Sequence, residues 1–130
     1  MSTSTIDSEI FKELQGSAGE DFVVELVDTF LADAPHMLSA LRKSLAAGDA
    51  DGFRRAAHSL KSNSHTFGAM TLGALARELE HGGLERARGL GAGGERALDA
   101  VDALDAIDAI DAEYARVAAA LTQLNRSRGT

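Results

Sequence analysis

The segment with the clearest chemical potential covers residues 56–69, AAHSLKSNSHTFGA. Within it, His58 lies one helical turn before Lys61 and about two turns before His65. An uncharged imidazole is a nitrogen nucleophile, and an ammonium group one turn away can neutralise a transferred anion. The neighbouring side chains are small, which leaves room for a second molecule to approach. These features favour a carrier that holds a phosphoryl group on His58, with Lys61 neutralising the phosphate.

Basic and small residues continue on the same helix face. Arg54 and Arg55 lie one turn before His58, and Ser62 follows Lys61. In a chain of net charge −7 they form a local basic stripe, suited to steering an acidic pocket of a partner. The residues that we expect to contact such a partner are Arg54, Arg55, Ser62, His65 and Gly68.

A carboxylate from the next helix is expected to orient the imidazole. If the chain reverses near Gly68, residues at similar distances from the turn lie level, which brings Glu78 and Glu80 close to His58. Either carboxylate can accept the Nδ1 proton and leave Nε2 as the attacking atom. Spacing does not choose between the two glutamates, and a solvated charge at the edge of the helix is the alternative for both.

The histidines are poorly placed to bind a metal ion. His65 lies about 10 Å along the helix axis from His58, too far for both to bind one zinc ion directly. His81 precedes Gly82 at a predicted helix end, where capping is the simpler role, and His36 is expected on the surface. There is no cysteine, which excludes cysteine-based metal sites, and we expect no metal.

Apolar spacing predicts an all-α fold. The stripe formed by Phe53, Leu60 and Phe67 lies opposite His58, which places the imidazole away from the core. Pro35 removes one backbone hydrogen bond to Leu31 and is expected to kink its helix. The predicted elements are a short helix ended by Gly16, a long helix over 20–47, the histidine helix up to Gly68, a partner helix over 70–81 and a last helix over 95–124.

These helices predict an antiparallel up-down four-helix bundle, with the N-terminal helix as a lid and His58 exposed before a hairpin turn. We expect one domain over residues 6–125, between flexible termini at 1–5 and 126–130. The Asp-rich repeat at 97–112 has a period of three, so Leu98, Val101 and Leu104 cannot all face the core. That repeat is interpreted as a solvated helix extension, and a monomer is expected.

Charge and hydropathy narrow the class of partner. The 20 acidic residues exceed the 13 basic ones, which argues against nucleic acid or an anionic lipid surface. The N-terminus lacks a signal-peptide pattern, and no apolar run is long enough to span a membrane. A cytoplasmic protein is therefore expected.

The motif resembles that of the histidine-containing phosphotransfer (HPt) domain, His-x-x-Lys-Gly with a second glycine about ten residues after the histidine. His58, Lys61 and Gly68 match it, whereas Ser62 replaces the first glycine. The segment FLADAP and the helix layout extend the resemblance over about residues 6–125. Glu80 matches the position of a glutamate in chemotaxis-kinase relatives.

The resemblance implies a phosphorelay intermediate that takes a phosphoryl group from a receiver-domain aspartate and passes it to another. It implies response-regulator receivers and a hybrid histidine kinase as partners, with Mg²⁺ only in the receiver and no cofactor of its own. The short chain has no ATP-binding motif, so we expect a stand-alone stoichiometric carrier and not a kinase. The alternative is a helical binding module that no longer transfers phosphate.

Overall fold

The computed structural model describes residues 5–81 and 100–128, and the side chains of 100–103, 127 and 128 are not described. Every regular element in those residues is a helix, so the predicted all-α class is confirmed there. Following the chain, the helices are α1 (Ser8–Ala18), α2 (Glu20–Ala47), α3 (Ala50–Thr66), α4 (Met70–Glu80) and α5 (Ala100–Arg128).

The helix ends follow the turn residues in the sequence. Asp49 caps α3 by accepting a hydrogen bond from the Gly52 amide at 2.9 Å. Gly48 follows the last residue of α2, and Gly68 lies in the turn after α3. Their φ values of 71° and 85° favour glycine. Two helices were predicted to end too early: α1 continues past Gly16, and α5 continues about one turn past residue 124. The predicted start of the last helix at 95 lies outside the described residues.

The long helices enclose one core. α2 packs against α3 and α5, α4 packs against the same two helices, and α1 covers α2 and α3. On α2 the buried positions include Val27 and Leu38. The 3–4 spacing of apolar residues in the sequence also predicts Leu26 and Met37 in the core, but both are only partly buried. α2 contacts three helices, α1, α3 and α5, and therefore needs a broader apolar surface than a single stripe.

Pro35 lies inside α2, and the helix continues through it. The proline has no N–H to donate to the Leu31 carbonyl. The Tyr114 hydroxyl on α5 lies 3.5 Å from that oxygen and donates a long hydrogen bond to it. Phe30 packs edge-on against Tyr114, with 6.0 Å between ring centroids, and lies 5.4 Å from Phe67. Aromatic contacts therefore link α2, α5 and the turn after α3.

The Asp-rich repeat is only partly solvated. Arg42 on α2 pairs with Asp108 at 2.9 Å and with Asp111, and both aspartates raise the pKa of its guanidinium. Two members of the repeat therefore pair with α2 while staying exposed, a contact that the interpretation as a solvated extension did not include. Leu104 is 42% exposed, consistent with the drift of a period of three. Leu98 and the Val101 side chain lie outside the described part.

None of the helices within residues 5–81 and 100–128 combines the length and hydrophobicity that crossing a bilayer requires.

Candidate functional site

Helix α3 holds His58 on its outer face. Phe53 and Leu60 are buried in the core, as is Phe67 just after the helix, and together they fix how α3 is rotated about its axis. His58 lies on the opposite side, and 56% of its side chain is exposed. The histidine ring is therefore accessible to a second macromolecule.

The α3–α4 hairpin brings Glu80 beneath the imidazole. Glu80 Oε2 lies 2.7 Å from His58 Nδ1. A carboxylate only accepts hydrogen bonds, so a neutral imidazole donates its Nδ1 proton to Glu80 and keeps its lone pair on Nε2. Glu78 is exposed on α4, and among the described carboxylates Glu80 is the one that contacts His58. The structure thus distinguishes two glutamates that spacing left equivalent.

Lys61 binds the other oxygen of the same carboxylate. Its Nζ lies 2.8 Å from Glu80 Oε1, and the two side chains are only 21% and 17% exposed. The Lys61 ammonium is the main cause of a lowered Glu80 pKa, and the His58 contact lowers it further while partial burial opposes both. Glu80 therefore stays ionised at neutral pH and bridges the ammonium and the imidazole.

The two arginines lie on the other side of His58. Arg54 and Arg55 both pair with Asp51 in the first turn of α3. They line an open depression of about 410 Å³ together with His58, Ser59 and Glu80. The expected basic stripe is therefore present, and Asp51, which sequence reasoning did not single out, is a counterion that both arginines share. Acidic residues one turn before a pair of arginines are the signal that identifies it.

The remaining predicted partner contacts differ in accessibility. Ser62 is exposed, whereas His65 is partly buried. The His65 ring lies over Gly73 of α4, so closely that a Cβ there would collide with it. Gly68 is buried, and its carbonyl accepts a hydrogen bond from the Asp7 amide at 2.8 Å. Gly68 therefore lies inside the turn, beneath the N-terminal segment. We had expected it on an accessible docking surface, and that expectation was wrong.

Metal-ligating side chains do not converge in the described ranges. No group of three or more histidine, cysteine, aspartate or glutamate residues there has the geometry to hold an ion. His36 and His81 are both exposed, and neither joins His58.

Comparisons with known proteins point to one family. The Hpt domain model matches residues 25–120 of the chain. The crystal structure of histidine-containing phosphotransfer protein B (HptB) from Pseudomonas aeruginosa PAO1 is similar, with a TM-score of 0.78 and 30% sequence identity. That match covers 97% of this chain and 98% of the other. A comparison with curated protein sequences returned no match. An exposed histidine on a helical hairpin, the family match and the structural similarity together show that this chain belongs to the Hpt domain family.

Proposed function

We propose that the protein is a phosphocarrier of a two-component phosphorelay, accepting a phosphoryl group on His58 Nε2 from a receiver-domain aspartate and passing it to another. The observation that supports this most directly is the Nδ1 contact to Glu80 at 2.7 Å beside an exposed ring. Membership of the Hpt domain family supports the same class of activity. The proposed architecture is an antiparallel up-down bundle of α2 to α5, with α1 as a lid.

In the proposed transfer, the Nε2 lone pair attacks phosphorus in line with the acyl phosphate of the receiver. The Nε2–P bond forms as the P–O bond to the aspartate breaks, and the aspartate leaves as a carboxylate. The imidazole gains positive charge as it does so. Glu80 stabilises that charge through the Nδ1 proton, while Lys61 keeps Glu80 ionised and fixed in place. The role for Lys61 predicted from the sequence, neutralising phosphate, stays a prediction.

The partner supplies the rest of the chemistry. Mg²⁺ would be held by the receiver, and we propose no metal or cofactor on this chain. ATP-dependent phosphorylation belongs to a hybrid histidine kinase upstream, so the chain acts stoichiometrically. Receiver docking would use the exposed face of α3 around His58, where Arg54, Arg55 and Ser62 are accessible.

The experiment is to mix the protein with a receiver domain carrying ³²P on its aspartate. Wild-type protein should take up label that is stable in base and labile in acid, as expected for a phosphorylated nitrogen. His58→Gln should take up none. His36→Gln removes another exposed histidine and should be labelled like wild type.

Two outcomes would reject parts of the proposal. Label that persists on His58→Gln would show that another residue is the acceptor. A wild-type protein that binds several phosphorylated receivers without taking up label would favour the binding module.

A further inference from the structure

We propose that Arg54 and Arg55, positioned by Asp51, bind the phosphoryl oxygens on His58. This inference rests on the proposed function and names the cations that act at that site. It assigns the anion-binding role to the arginines that line the depression, in place of the lysine one turn after the histidine.

The ammonium of Lys61 is already paired with a carboxylate. It pairs with a Glu80 carboxylate that is only 17% exposed, and that carboxylate also holds His58. The ammonium and the carboxylate cancel in charge. Drawing Lys61 away to a phosphate would leave Glu80 uncompensated in a partly buried position, which is costly.

The arginines have the opposite character. Their partner Asp51 is exposed, and Arg55 is 69% exposed. Solvent-exposed ion pairs contribute little free energy, so a guanidinium can exchange its carboxylate for a phosphate at small cost.

Position and shape agree with this assignment. Arg54 and Arg55 precede His58 by four and three residues on α3, so all three side chains lie on one face. The depression of about 410 Å³ that they line includes His58 and Ser59, and Lys61 is not among its described lining residues. Guanidinium also matches phosphate better than ammonium does, because its N–H groups form paired hydrogen bonds to two oxygens. Asp51 acts as a positioning residue that holds the guanidiniums beside the site until the anion arrives.

The test measures the phosphoryl group itself, without any receiver. Phosphoramidate phosphorylates the intact protein: the Nε2–P bond forms as the P–N bond of the reagent breaks, and ammonia leaves. The His58 signal in the ³¹P NMR spectrum is assigned by its loss in His58→Gln. Its chemical shift is then followed against pH to obtain the second pKa of the phosphoryl group.

Nearby cations favour the dianion and lower that pKa. The double variant Arg54→Gln/Arg55→Gln should therefore raise it by on the order of half a pH unit. Arg126→Gln, which removes an exposed arginine near the end of α5, should leave it at the wild-type value. Circular dichroism and thermal unfolding check that each variant is folded.

The remaining outcomes overturn the proposal. An unchanged phosphoryl pKa in the double arginine variant would do so, even if transfer from a receiver became slower, because the arginines would then only steer the partner. An increase confined to Lys61→Gln would return the role to the lysine. Failure of wild-type protein to accept phosphate from both phosphoramidate and a receiver would reject the proposed function first, and this inference with it.

Discussion

At the scale of single residues, the carboxylate of Glu80 performs two tasks with two oxygens. Oε2 holds Nδ1 of His58, and Oε1 holds the ammonium of Lys61. The first contact fixes the ring and selects its tautomer, and the second keeps the carboxylate charged. A histidine on an exposed helix face would otherwise rotate freely and expose either nitrogen.

Replacing the carboxylate with an amide should therefore slow transfer without unfolding the protein. Glu80→Gln keeps the size of the side chain but cannot balance the positive charge that develops on the imidazole. We expect transfer from a phosphorylated receiver to fall by about 10- to 100-fold. Rapid-quench kinetics measure it, with Glu78→Gln as the matched control. Equal losses in both variants would contradict the assignment of Glu80.

The lowered Glu80 pKa also makes stability depend on pH. A carboxyl group whose pKa is lower folded than unfolded stabilises the protein above its ordinary value of 4.5. That contribution is lost as the pH falls through the lower folded value. The difference in unfolding free energy between wild type and Glu80→Gln should therefore be largest near neutral pH and shrink below 4.5. Urea unfolding across this range measures it, and a difference independent of pH would contradict the network.

At the scale of helices, the crossing of α3 and α4 sets the geometry of the site. The His65 ring lies over Gly73, and the missing side chain of the glycine allows the two helices to approach closely there. This contact is about two helical turns from His58. The buried Gly68 turn and the Asp7 hydrogen bond fix the closed end of the hairpin next to that contact. The register between His58 and Glu80 depends on both features.

Gly73→Ala should destabilise wild-type protein by up to about 2 kcal/mol, because the His65 ring must move off the new methyl group and this cost exceeds the gain in helix propensity. In a His65→Ala background the collision is absent. The same change should then stabilise α4 by up to about 1 kcal/mol, since alanine favours helices more than glycine does. A double-mutant cycle from urea unfolding measures the change of sign. Equal effects in both backgrounds would show that the two residues are not in contact.

Helix positions and the exposed face of α3 could be predicted from the sequence because both follow from a period of 3.6 residues. The break at Gly68 followed from a shift in apolar register. The choice of Glu80 over Glu78 could not be predicted from the sequence, because it depends on the angle between two helices and on side-chain rotamers. The same holds for the packing of His65 on Gly73 and for the pairing of Arg42 with Asp108. The spacing of residues along one helix carries no information about such contacts between helices.

At the scale of the whole molecule, α5 closes the core against α2 and α4. Its buried residues include Ile107, Ile110, Val117 and Leu121. The pairs from Arg42 to Asp108 and Asp111 add an electrostatic contact at the edge of that interface. Part of the excess negative charge in the sequence thus has a structural role.

Arg42→Gln should lower the free energy of unfolding by about 0.5–1 kcal/mol at low ionic strength. The loss should become smaller in molar salt, because these groups are partly exposed and screened. Lys43→Gln, at the exposed neighbouring position, is the control for charge alone and should have little effect. A loss that is insensitive to salt would indicate a packing role for Arg42.

The central claim is that His58 carries the phosphoryl group on Nε2, opposite the nitrogen held by Glu80. The most direct measurement is ¹⁵N-resolved NMR of the protein phosphorylated by its receiver, with labelled histidine, which identifies both the residue and the nitrogen bonded to phosphorus. The account predicts a single phosphohistidine at position 58, substituted on Nε2, with the Nδ1 proton retained against Glu80. Phosphorus on Nδ1, or on His36, His65 or His81, would contradict it.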